Sequence, residues 1–323
     1  MFDDQMRNRF IGSLLGLAVG DATGAPFEGL TASHIYQTGP ARKLLENPRE
    51  YFFVKDESSP TLRYTDDTQM MIGITETLIE CHEIQSDYLL QRFLFHYDPN
   101  RGYGKGIRRL FTKLRREISL DEAIRSIFPD GSFGNGAAMR VAPVGLFFAF
   151  DLDRVEAEAE VSAKVTHIHP LGVEGAKLLA LAVALAATTP TGTLRRDDFL
   201  RQLQQRTQTE EFQWQLETLR NINRDVPISF GNGAEAHRSV VSAVQLFVDY
   251  PDSFFSVLQH SIGLGGDTDT IAAMACSLSG AYLGKDAIPP HLLDFLENDQ
   301  PFGREGIEFL AIRLFQEAKL SLF

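Results

Sequence analysis

The chain has 323 residues, 44% of them hydrophobic, an ordinary globular composition with enough apolar side chain for a substantial core. Its formal net charge of −12 at pH 7 argues against direct nucleic-acid binding, although a small anion neutralised locally by metals or backbone N–H groups is still accommodated. Only two cysteines occur, Cys81 and Cys276, which excludes a disulfide scaffold and reads as small core residues in a reducing compartment.

Residues 1–8 are mostly polar, so no leader peptide is expected at this start. Helical periodicity then predicts helices over residues 7–19, 68–81, 86–96, 105–116, 135–150, 154–165, 170–187, 210–222, 234–247, 253–262, 268–284 and 306–320. Ser119-Leu120-Asp121-Glu122 has the spacing of a capping box, and Pro170 and Pro251 suit the opening of a helix. The most apolar run, residues 176–187, is too short to span a bilayer, so no membrane is expected and the cytoplasm is the default location. The one strand-like run is Tyr51 to Val54, without an evident partner, and no alternation of strands and helices suggests a parallel sheet. Length alone allows two domains, but without linkers or repeats the expectation is one domain over residues 1–323, all-α, as a compact orthogonal multi-helix bundle. Residues 31–60 and 98–106 read as long functional loops.

Two short acidic clusters carry the chemistry. Thr65-Asp66-Asp67-Thr68 precedes an apolar helix, where acidic residues serve equally as caps and as metal ligands. Gly265-Gly266-Asp267-Thr268-Asp269-Thr270 precedes a second one, and its two carboxylates and two hydroxyls exceed what a cap requires. Oxygen donors without a nearby Cys or His suit hard cations such as Mg²⁺ or Mn²⁺. If the two helix starts meet in space, four crowded carboxylates are most simply explained by a binuclear metal cleft.

Other features have bland alternatives. Gly12, Gly16 and Gly20 recur every fourth residue, and close helix packing is the favoured reading for the first two. Asp21 reads as a turn anchor or cap, whereas Glu28, in a loop after Pro26-Phe27, is either a solvated carboxylate or one that activates water. The turn Gly131-Ser132-Phe133-Gly134-Asn135-Gly136 either cradles phosphate on its backbone N–H groups or is simply a capped loop. Phe133 is a candidate for base stacking, with core packing as the commoner alternative. Phe230-Gly231-Asn232-Gly233 and Gly102-Tyr103-Gly104-Lys105-Gly106 form similar helix-opening turns, the first ahead of a helix from Ala234. Thr166-His167-Ile168-His169 is a poor zinc site with no third His or Cys nearby, and a histidine donating to a ligand fits better.

Together these motifs resemble the ADP-ribosylglycohydrolase family over nearly the whole chain, from Gly12 to Ile271. The most specific parts are Thr65-Asp66-Asp67, Gly134-Asn135-Gly136-x₂-Met139-Arg140 and Asp267-Thr268-Asp269-Thr270. The similarity is closest to the branch that cleaves serine-linked ADP-ribose. This resemblance implies an all-α fold holding two Mg²⁺ or Mn²⁺ ions on Thr65, Asp66, Asp67, Asp267, Asp269 and Thr270. It also implies a flap glutamate at Glu28, with Asp66, Asp67 and Asp269 at the reacting centre. Gly131, Ser132, Phe133, Gly134 and Asn135 would bind pyrophosphate and adenosine, and His167 would hydrogen-bond the ADP-ribose. Phe133 stands where that branch has Tyr, which preserves stacking and loses a hydroxyl. The implied substrate is an ADP-ribosylated protein, with Ser favoured and Arg as the second acceptor, or a small ADP-ribose conjugate. Rival readings are a metal-dependent pyrophosphohydrolase of ADP-ribose or a related nucleotide, and a non-catalytic ADP-ribose-binding or structural protein on the same scaffold.

Overall fold

The computed structural model describes residues 2–38, 43, 62–222, 230–298 and 301–321. Helix α1 (Phe2–Gly24) runs into a 3-10 turn (Ala25–Phe27), followed by α2 (Ala32–Thr38). Then come α3 (Asp66–Cys81), α4 (Ser86–His96), α5 (Lys105–Leu114) and α6 (Leu120–Arg125). A 3-10 turn (Asn135–Ala137) precedes α7 (Ala142–Phe147), α8 (Leu152–Lys164) and α9 (Pro170–Thr188). The series closes with α10 (Arg196–Arg206), α11 (Glu210–Asn221), α12 (Ala236–Asp249), α13 (Phe254–Gly263), α14 (Thr268–Leu283), α15 (Pro290–Phe295) and α16 (Arg304–Leu320). Among the described residues only isolated bridges pair extended backbone, so the expected all-α class holds.

The pairing of α1 with α14 sets the position of everything that follows. A Cβ on Gly12 would lie 2.6 Å from the Gly280 carbonyl, one on Gly16 2.5 Å from that of Cys276, and one on Gly24 2.5 Å from that of Thr268. On Gly20 it would strike the Ala272 carbonyl. The two helices are therefore antiparallel and in backbone contact along one small-residue stripe, as the four-residue spacing predicts. The register brings the C-terminal end of α1, with Asp21 and, just beyond the following 3-10 turn, Glu28, against the start of α14, with Asp267 at its N-cap and Asp269 in its first turn. Gly20→Ala tests this packing. The obstacle is a carbonyl that no rotamer change relieves, so the overpacking cost of about 1–3 kcal/mol exceeds the gain in helix propensity of about 1 kcal/mol. Urea titration should show a lower midpoint than wild type, and an equal or higher one would mean that the stripe is not tightly packed.

The structure revises several boundaries. The stretch read as one helix over residues 135–150 breaks into the 3-10 turn and α7, because Pro143 fits only a helix's first turn. Pro251 lies in a turn, and α13 is capped by Ser253, which accepts from the Ser256 N–H. Ser119 stands at the start of α6, but its side chain makes no capping bond. The helix over residues 234–247 starts two residues later, at Ala236. Helices α2 and α15 are too short to show a period, and polar α10 buries only Phe199, Leu200 and Leu203. The run over residues 176–187 belongs to a 19-residue helix, α9, which has the length and hydropathy of a membrane span, as has Asp3–Phe27. Both are packed in the interior, with 83% and 89% of the apolar window buried. The strand expected at residues 51–54, and most of the loop over residues 31–60, lie outside the described residues.

Candidate active site

Neither acidic helix start is capped by its own flanking side chain, which removes the bland reading of Thr65 and Asp267. The start of α3 is capped from outside instead. Asp21, fully buried on α1, accepts from the backbone N–H of Thr65 at 2.9 Å and of Thr68 at 3.0 Å. It also takes the hydroxyls of Thr65 at 2.8 Å and of Thr68 at 2.5 Å. The expected capping role of Asp21 is thus met, with donors more than forty residues away in sequence. A second brace fixes Tyr64: its N–H donates to buried Glu297 at 2.9 Å, and Arg101, ion-paired with Glu297, donates to its carbonyl at 2.8 Å.

Held this way, Asp66 and Asp67 in the first turn of α3 face Asp267 and Asp269 at the start of α14. Carboxylate oxygens of Glu28, Asp267 and Asp269 lie within 4.8 Å of one another. Burial first, then the neighbouring carboxylate charges, push the Asp66 carboxyl up to about 7 and those of Asp67 and Asp269 well above the usual range. Asp67 Oδ1 is buried without a hydrogen-bond partner. An orphaned anionic oxygen in a nest of like charges is a strongly unfavourable arrangement for a protein alone and a suitable one for a hard cation. The donor set therefore fits a divalent metal. Thr270 lines the same space, whereas the Thr65 hydroxyl points to Asp21 and, at 3.2 Å, to Asp67.

Local backbone chemistry delivers these groups. Gly265 and Gly266 adopt φ of 68° and 74°, a region that strains any side chain, and a Cβ on Gly266 would strike the Asn232 carbonyl. The tight turn lets Gly266 exchange backbone hydrogen bonds with Gly29 and Leu30, both 2.8 Å, on the segment that follows Glu28. Glu28 thus sits in a loop pinned to the α14 start, half-exposed, its carboxyl raised by partial burial and by the Asp267 charge. The Asp267 N–H donates to the Asn232 carbonyl at 2.7 Å, which gives the Phe230-Gly231-Asn232-Gly233 turn a role in holding the cluster.

The carboxylates line a cavity of about 250 Å³. Ser132, Asn135, Gly136 and His167 line it too, together with apolar Met70, Ile107 and Leu110. Gly131, Phe133 and Gly134 line instead an adjoining groove, whose lining shares Ser132 and Phe128 with the cavity. Phe133 is 50% exposed, so it is not a core residue, and Phe128 was not singled out in the sequence. The Asn135 amide donates to Asp267 at 2.7 Å and to Ser239 at 3.1 Å, linking the small-residue turn to the acidic cluster. His167 is buried, and desolvation, then the Arg140 charge, push its pKa down to about 3, which keeps the ring neutral. Its Nδ1 lies 2.7 Å from the Thr166 hydroxyl, which accepts from Arg140 at 2.8 Å. The other ring nitrogen, Nε2, lies beside Gly134 and Gly136. This chain from Arg140 explains why a buried cation stands there; Arg140 appeared in the sequence only as part of a motif.

A family model described as ADP-ribosylglycohydrolase matches residues 3–321. The chain is 34% identical to the ADP-ribosylhydrolase ARH3 of Gallus gallus, covering 87% of each sequence. It is 33% identical to the protein of the same name from Homo sapiens, again covering 87% of each. A solved structure described as an ADP-ribosylglycohydrolase-related protein complex superposes with a TM-score of 0.71 over 98% of this chain and 99% of that one, at 23% identity, a likeness of fold.

Proposed function

The chain belongs to the ADP-ribosylglycohydrolase family and is a glycosyl hydrolase, and we propose that it releases ADP-ribose from serine on a protein, or from a small conjugate, in a reaction that depends on divalent metal. The observation that carries this reading is the meeting of Glu28, Asp267 and Asp269 with the orphaned Asp67 oxygen in the lining of one cavity. Asp66, Asp67, Asp267, Asp269, Thr65 and Thr270 would hold two Mg²⁺ or Mn²⁺ ions, which supply Lewis-acid polarisation of water and of ribose hydroxyls when bound. The chain's own groups do the rest. His167 and the Ser132–Gly136 turn orient the nucleotide, fixing the anomeric carbon near the carboxylates. As the acceptor oxygen departs, positive charge grows on the ribose, and the surrounding carboxylates stabilise it. Glu28, with its raised pKa and exposed position, accepts the proton of the attacking water and passes it to the departing acceptor oxygen, which leaves as a hydroxyl.

A panel of Ser-, Arg- and O-acetyl-linked ADP-ribose, run with Mg²⁺, Mn²⁺ or a chelator, tests the proposal. Intact ADP-ribose should appear from the serine conjugate with either metal and not with the chelator. AMP plus ribose phosphate would favour a pyrophosphohydrolase, and tight binding without cleavage a binding protein. Adding Mg²⁺ to metal-stripped protein should also raise its melting temperature, because binding to the folded state alone contributes about 2.7 kcal/mol at a hundredfold excess over Kd. An unchanged melting temperature would count against a metal site.

A further inference from the structure

Helix α5 and the turn that follows it carry six of the chain's 31 basic residues, Lys105, Arg108, Arg109 and Lys113 on the helix and Arg115 and Arg116 just beyond its end, with no acidic residue before Glu117. In a protein of net charge −12 this is a strong local reversal. Elsewhere exposed cations are commonly paired, as Arg7 with Asp4, Arg125 with Asp121 and Arg201 with Asp198. Among the described residues none of the six forms an ion pair, although Asp121 and Glu122 stand on the adjacent α6. Two have other partners: Arg108 donates to the Tyr103 carbonyl at 2.6 Å, and Arg115 lies over the Tyr97 ring.

Of the remaining four, three form one row. At 100° per residue, Lys105, Arg109 and Lys113 share a shoulder of the helix, and Arg116 follows in the turn after its end. That shoulder adjoins Gly106 and Leu110, which line the cavity, while Leu110 and Phe111 are buried. Lys105, Arg109 and Arg116 are exposed and Lys113 half-buried. From Lys105 to Lys113 the row is about 12 Å long, the span of about four residues of extended peptide. Unpaired like charges held in a row repel one another, and the nearest relief is an anionic partner.

We propose that this row is a docking surface for an acidic segment of the polypeptide that bears the ADP-ribose, so that preferred acceptors carry several Asp or Glu beside the modified residue. The inference rests on the hydrolase reading for what the partner carries, but not for the surface itself. A polypeptide is favoured over a nucleic acid because the basic row is short and the rest of the molecule is acidic, so a long phosphate backbone would soon meet repulsion.

The test is fluorescence anisotropy with unmodified ten-residue peptides, one alternating Glu and Gly around a central Ser, the other with Gln for Glu. Wild-type protein should bind the acidic peptide at least about tenfold more tightly at low salt, the order expected for several exposed charge contacts together. The preference should vanish in about 0.3 M NaCl and in the triple variant Lys105→Glu, Arg109→Glu, Lys113→Glu. A milder triple, with Gln at the same positions, should weaken binding in the same direction and guards against loss of fold. Equal affinity for the two peptides would overturn the proposal. So would displacement of the acidic peptide by decathymidylate at lower concentration than by the peptide itself, which would assign the row to nucleic acid. Cleavage of free ADP-ribosyl-serine, run alongside, should be unchanged in both triples, and a loss there would place the row in the catalytic site and overturn a separate docking role. Failure of wild type to cleave ADP-ribosyl-serine would sink the hydrolase reading alone, because peptide binding needs no turnover.

Discussion

Replacing Asp269 by Asn should reduce kcat/KM for the ADP-ribose conjugate by at least about a thousandfold, the scale on which one electrostatic contact in a reacting centre acts. The amide keeps the shape of the side chain and its bond from the Thr270 N–H, 2.9 Å in the native protein. What it loses is the negative charge that shares the space with Glu28 and Asp267. The same loss relieves repulsion, since Asp267 and Glu28 are the main charges that raise the Asp269 carboxyl. The variant should therefore be at least as stable as wild type without metal, and should lose most of the stabilisation that Mg²⁺ gives the native protein. Wild-type turnover, or an undiminished gain on adding Mg²⁺, would remove Asp269 from the assigned centre.

How much of this was legible in the sequence depends on how local each signal is. The α1 stripe was legible because its contacts repeat along one helix face, and the acidic pairs because short polar residues interrupt apolar helix starts. What the stripe does for the site was not legible, since the register of α1 on α14 is a matter of tertiary packing. The Arg140–Thr166–His167 chain joins two separate segments through one hydroxyl, a geometry without any sequence spacing. Asn135 reads as part of a phosphate turn, yet its amide reaches Asp267, 132 residues on. Phe128 gives no signal beyond its apolarity. Its place at the cavity follows from where α6 ends. The break before α7 was legible in principle, as Pro143 interrupts the period, but the surrounding apolar run obscured it.

Asp21 supports the other large prediction, because two opposed effects meet on one side chain. Its carboxylate satisfies two backbone N–H groups and two hydroxyls at the start of α3. Asp21→Asn keeps one oxygen acceptor and places an NH₂ against donors, so at least one buried donor is left unpaired. Hydrogen bonds to a charged acceptor contribute roughly 1.5–3 kcal/mol each, and an orphaned buried donor costs about 1–3 kcal/mol. Against this, Asp21 is the leading neighbouring charge that raises the carboxyls of Asp66 and Asp67, and removing it lowers that repulsion. At an effective dielectric of about 20, two charges some 5 Å apart repel by about 3 kcal/mol. The two effects are therefore of similar size in metal-free protein, and the net change in stability there should be small. A bound divalent cation offsets the repulsion already, so the variant then shows only the loss. The expected result is a metal-dependent penalty: about 2–4 kcal/mol in saturating Mg²⁺, and less than half of that in chelator, read from urea midpoints under both conditions. The affinity for Mg²⁺ should fall in step, because linkage requires the same free energy to appear in binding. An equal penalty with and without metal would mean that Asp21 acts only as a cap, and that the carboxylates it braces do not hold the ion.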